Sequence, residues 1–115
     1  MASARYQLFT RFPRAVEWRL ISANNRELGR CTEPFLDLGS CTTAVERLRE
    51  GIDSADEVVA QDPSGRWRWR LSFEDLPVAM SCRAYLRRVE CTSTLLQFRK
   101  TASGAVLVPR LRTFR

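Results

Sequence analysis

The sequence predicts an α+β domain: a single, mainly antiparallel sheet with two helices packed on one face. Three observations predict it. Short stretches alternate apolar and polar residues with period two, two longer ones carry an apolar stripe at helical spacing, and the whole pattern occurs twice, about fifty residues apart. A chain of 115 residues makes one domain and buries roughly two-thirds of its unfolded surface. We read residues 1–115 as one domain of two repeats, about 5–55 and 56–112.

The repeat is visible residue by residue. VEWRLISANNRELGRC (16–31) lies over WRWRLSFEDLPVAMSC (67–82), so that Trp18 meets Trp69, Leu20 meets Leu71 and Cys31 meets Cys82. After the loss of one residue, PFLDLGSCTTAVERL (34–48) lies over AYLRRVECTSTLLQF (84–98), which pairs Phe35 with Tyr85 and Cys41 with Cys91.

Each repeat is expected to open with an extended piece, near 5–9 and near 57–61. A tryptophan-bearing strand follows at 16–22 and 66–73, where side chains two apart share a face. In the second repeat, Asp62-Pro63-Ser64-Gly65 joins these strands as a turn. A polar break, Asn24–Asn25 or Glu74–Asp75, precedes a third strand that runs to Cys31 or Cys82.

The helix of the first repeat is predicted from Cys41, Ala44, Val45, Leu48 and Ile52, with Ser40 as N-cap and Thr42 or Thr43 as alternative starts. In the second repeat the stripe is Cys91, Leu95, Phe98 and Ala102; its β-branched residues predict a shorter helix. A last strand spans 105–114, where Pro109 places it at an edge or breaks it. Neither half buries much alone, so the two are expected to pool their strands.

Together, Trp18, Leu20, Trp69, Leu71, the aromatics Phe35 and Tyr85 and the two helix stripes resemble the YegP-like family, small tandem-repeat or dimeric domains of unknown function. The resemblance spans about residues 5–105 and departs from the family's Asn-Gly turn at Asn24–Asn25 and Glu74–Asp75. It implies a β3-α-β unit used twice, with strands exchanged between units to complete one sheet. It implies no catalytic residue and no cofactor.

The composition argues against catalysis. The chain has no histidine and no glycine-rich phosphate loop, its five glycines being scattered at 29, 39, 51, 65 and 104. An enzyme is therefore not expected. Cys31, Cys41, Cys82 and Cys91 are separated too widely for a zinc knuckle, so buried structural thiols are expected. A four-thiolate metal site or two disulfides is the alternative. Cys41, near a helix N-terminus, would have a lowered pKa if it were exposed. No apolar run approaches the roughly 18 residues of a membrane span. The N-terminus lacks the apolar stretch of a signal peptide, which predicts a cytoplasmic protein without membrane contact.

Charge separates the halves. Residues 1–62 carry eight arginines and ten acids, a net of −2, whereas 63–115 carry a net of +8. In RWRWRL (66–71), Trp67, Trp69 and Leu71 are expected to face the core and Arg66, Arg68 and Arg70 the solvent. The first-half counterparts facing outward are Glu17, Arg19 and Ile21. Arg83, Arg87 and Arg88 and the tail residues Arg110, Arg112 and Arg115 add to the basic half. The sequence thus predicts a non-enzymatic binding or scaffold module with a protein partner, a second copy of the chain included. The alternative is a nucleic-acid or polyanion binder that uses the arginines of the second repeat.

Overall fold

A computed structural model describes residues 3–12 and 15–113. The elements run β1 (Arg5–Phe12), β2 (Ala15–Ile21), β3 (Glu27–Arg30), α1 (Leu38–Gly51), a 3-10 turn (Ile52–Ser54), β4 (Asp56–Gln61), β5 (Trp67–Phe73), β6 (Leu76–Met80), α2 (Arg88–Ala102) and β7 (Val106–Thr113). The class is α+β, as expected. All seven strands form one sheet in the order β4-β5-β6-β3-β2-β1-β7. The sheet is mixed, because β7 joins β1 in parallel while the other neighbours are antiparallel.

The alternation in the strands sets the core. Val16, Trp18 and Leu20 of β2 and Trp69 and Leu71 of β5 are buried in one cluster with the stripes of both helices. Phe98 of α2 lies between the two tryptophans, 4.9 Å from Trp69 and 6.4 Å from Trp18 between ring centroids. Tyr6 meets Trp18 edge-on at 5.6 Å, and its hydroxyl donates to the carbonyl of Ala102 at 2.7 Å. Burial of the aromatics under the helices is the dominant stabilising contribution here.

The chain uses equivalent hydrogen bonds in its two halves. Val16 exchanges two backbone bonds with Phe35, and Trp67 exchanges two with Tyr85. The loops Ser22–Arg26 and Asp62–Arg66 close with the same bonds, and Asn25 and Gly65 both take positive φ there. The β5–β6 hairpin needs a tighter turn. Glu74 and Asp75 both adopt positive φ, 47° and 67°, in the two-residue loop between the paired Phe73 and Leu76.

Two expectations are corrected and a third holds. Helix α1 begins before Cys41, because Asp37 and not Ser40 is the N-cap: its carboxylate accepts from the Ser40 amide at 2.7 Å. Helix α2 is not the shorter one; it has 15 residues against 14. Its β-branched residues are outweighed by burial of Cys91, Leu95, Phe98 and Ala102, as tertiary packing routinely outweighs propensity. The C-terminal strand is an edge strand, and its register against β1 slips between Val108 and Leu111, around Pro109.

A basic face on the open side of the sheet

The side of the sheet turned away from the helices carries the candidate site. Residues directly opposed on neighbouring strands share a face, so the pairing register identifies what stands together. One row crosses the whole sheet: Val58, Arg70, Met80, Arg30, Arg19, Gln7 and Val108, each paired with the next. Strands are spaced by about 4.8 Å, so this row sets three arginines along a line perpendicular to the strands.

The row has an unusual electrostatic feature. Arg19 and Arg30 stand directly opposite one another, a like-charge pairing that disfavours the sheet unless an anion or another acceptor compensates. Part of each charge is engaged: Arg19 Nε donates to Gln7 at 2.7 Å, and Arg30 donates to Glu27 at 3.1 Å. The Nε of Arg30 is nevertheless buried without an acceptor among the described residues. Arg70 is exposed and makes no ion pair among them.

Two hollows flank the row. One, of about 240 Å³, is lined by Val58, Ala60, Arg68, Arg70 and Met80 at the β4 side. The other, of about 230 Å³, is lined by Arg5, Gln7, Val108, Arg110 and Arg112 at the β7 side. Arg68 also makes an ion pair with Asp62 at 3.5 Å. Hydrogen bonds from Ser64 first, then from the Arg66 amide, hold the Asp62 carboxyl below the usual carboxylate range.

The arginines named from sequence do not form one cluster. Arg68 and Arg70 lie on the open face as predicted, and Arg66 is exposed at the turn that leads into β5. Arg110 and Arg112 share that face, but on β7, at the opposite edge. Arg83, Arg87 and Arg88 lie in the connection from β6 to α2 and at the start of α2. Arg88 sits over the Trp67 ring at 5.3 Å, on the helix side. Arg115 lies outside the described residues.

Sequence reasoning missed Arg5 and Arg30 and named Arg19 only as an outward-facing counterpart of Arg70. Alternation alone assigned Arg19 outward; only the β2–β3 and β3–β6 registers bring Arg30 between it and Arg70. It also missed Phe9, an aromatic on the open face. Phe9 is 3% exposed, and the guanidinium groups of Arg19 and Arg11 lie 5.4 and 5.6 Å from its ring, so it offers no free surface for base stacking. Charge, not stacking, is what this face presents.

The thiols are elsewhere. Cys31, Cys41 and Cys91 are buried and Cys82 is half-buried; all four are free. Among the described residues no three cysteines or carboxylates converge on a point that holds a metal ion. Cys41 does not have the lowered pKa expected at an exposed helix N-terminus. Burial first, with the neighbouring Cys31 next, pushes it up to about 12. Burial likewise pushes Cys31 up to about 11. Among the described residues no helix is long and apolar enough to cross a membrane.

No protein-family profile and no curated protein matches the sequence. Two solved structures are similar in shape. The E. coli protein of unknown function YegP superposes with a TM-score of 0.80 at 9% identity, over 100% of this chain and 97% of its own. A UPF0339 protein from Shewanella oneidensis superposes with a TM-score of 0.76 at 9% identity, over 96% and 92%. The chain therefore has the YegP fold, the one its tryptophan strands and helix stripes resemble.

Proposed function

We propose that this protein is a non-enzymatic binding module whose uncovered sheet face receives a polyanion, nucleic acid in the first place. The observation that carries the reading is the row Arg19, Arg30, Met80, Arg70, in which two arginines oppose one another and the exposed Arg70 makes no ion pair among the described residues. A backbone of phosphates laid across the strands would meet the three guanidinium groups in turn and offset their mutual repulsion. The hollow with Arg5, Arg110 and Arg112 at the β7 side extends the same track, and at the β4 side Arg70 does so beside the Arg68–Asp62 pair.

The absence of histidine and the burial of three thiols with raised pKa values support a role without catalysis. We further read the chain as two repeats, 5–55 and 56–112. The equivalent bonds of Val16 with Phe35 and Trp67 with Tyr85 support that reading.

Fluorescence anisotropy with short labelled DNA and RNA over a salt series tests the proposal. Binding that weakens steeply with salt, and weakens further in Arg30→Ala/Arg70→Ala, is expected. No binding at low salt overturns it.

A further inference from the structure

The sheet is irregular where its open face ends at β7. Val108 pairs with Gln7 and Leu111 with Leu8, so Pro109 and Arg110 have no partner on β1. Proline offers no N–H to the ladder, and a bulge of this kind re-aims the side chains around it. The hollow of about 230 Å³ lined by Arg5, Gln7, Val108, Arg110 and Arg112 lies here.

Three guanidinium groups line the hollow and no carboxylate does. Glu17 on β2 stands two strands from β7, in the row Glu17, Phe9, Arg112, with Phe9 between them. Arg5 is held in place, its Nη2 donating to Asn25 Oδ1 at 3.0 Å and its Nη1 to the Ser3 carbonyl at 3.3 Å. Arg110 and Arg112 are exposed, with neither ion pair nor hydrogen bond among the described residues.

Gln7 adds a second observation. Its side chain lies almost wholly inside the protein, 6% exposed. The Nε of Arg19 can only donate, so the atom of Gln7 that meets it at 2.7 Å is the amide oxygen. The amino group of the same amide is left without an acceptor among the described residues. A buried donor in that condition is costly. Protection of an edge strand accounts for arginines on β7, but not for an unpaired amide beneath them.

We infer that this hollow holds one phosphomonoester group as its dianion, either the end phosphate of a strand laid across the sheet or that of a free small molecule. The strand-end case rests on the polyanion reading; the site itself does not. Pockets for whole small molecules measure roughly 300–1,000 Å³, so a single group enters here and the rest of the ligand stays outside. A monoester brings nearly two charges and three acceptor oxygens, which three guanidinium groups and the Gln7 amino group can meet with charge-assisted bonds. A phosphate within a strand brings one charge and two free oxygens.

Fluorescence anisotropy on the full-length protein tests the inference, with internally labelled oligonucleotides that carry a 5′-phosphate, a 3′-phosphate or neither. Phosphorus NMR titration with glycerol phosphate supplies the arm without a strand. A phosphorylated end should bind about tenfold tighter, the worth of one charge-assisted bond. The advantage should fade as pH falls through about 6, where the ligand regains a proton while the arginines stay charged. Arg110→Ala/Arg112→Ala should abolish it. So should Gln7→Glu, which keeps the acceptor for Arg19 and replaces the free donor by an oxygen; circular dichroism checks that both variants fold. Arg70→Ala should weaken all the strands alike. If no strand binds but glycerol phosphate does, and these variants lose it, the polyanion reading fails and the site stands. Neither a preferred end nor glycerol phosphate binding, or either one undiminished in the variants, overturns the inference.

Discussion

Phe98 occupies the place that a side chain at position 29 would need. A Cβ on Gly29 would lie 2.7 Å from Phe98 Cδ2 and 2.7 Å from Trp69 Cη2. Gly29 therefore lets α2 approach β3 closely enough for Phe98 to stand between the two tryptophans. Gly29→Ala should destabilise the fold by about 1–3 kcal/mol through overpacking, read as a lower urea midpoint at unchanged m-value. Combining it with Phe98→Leu should cost less than the sum of the two changes, because one strain is shared.

Arg99 ties the second helix to the end of the first. Its guanidinium donates to the carbonyls of Ile52 and Ala55, each at 3.0 Å, where the chain leaves the 3-10 turn for β4. Arg99→Ala should cost about 2 kcal/mol, the value of charge-assisted bonds to backbone carbonyls. Arg99→Lys should recover only part of that, since an ammonium lacks the planar fork. Thermal unfolding, with the exposed neighbour Lys100→Ala as control, measures both.

The buried thiols give stability a pH dependence. Both Cys31 and Cys41 have folded pKa values raised above the ordinary 9.0, to about 11 and about 12. The unfolded chain loses these protons first, so the contribution is complete below about pH 9 and is lost as pH rises to about 12. Denaturation midpoints should fall across that window, and fall less in Cys41→Ala. At pH 8 a thiol reagent should label Cys82 before the other three.

The β5–β6 turn holds two ordinary residues, Glu74 and Asp75, at positive φ. Replacing them by Asn and Gly, which suit a turn of this type, should stabilise the protein by about 1 kcal/mol. A calorimetric melting temperature that does not rise would count against the strain assigned here.

On the basic face the position of each arginine predicts its weight. Arg30→Ala and Arg70→Ala should each lower the slope of log affinity against log salt by about 1. Arg83→Ala and Arg87→Ala, in the β6–α2 connection, should leave it nearly unchanged. Equal effects from all four would show that net charge, not the row, does the binding.

Much of this was legible in the chain. Alternation sent Trp18, Leu20, Trp69 and Leu71 inward and Arg68 and Arg70 outward, and helical spacing picked out Cys91, Leu95, Phe98 and Ala102. These are local rules, set by the pleat of a strand and the pitch of a helix. The N-cap was missed because Asp37 lies before the apolar stripe begins, and a cap is recognised by the bond it accepts.

What only the tertiary structure decided is which strands adjoin. Parallel pairing of β7 with β1, and the antiparallel contact of β3 with β6 that puts Arg30 between Arg19 and Arg70, join segments far apart in sequence. No local period encodes them; they follow from the way two half-sheets bury their tryptophans under the same pair of helices. The sequence by itself determined that arginines face outward, and the closure of the core determined that they face outward in a row.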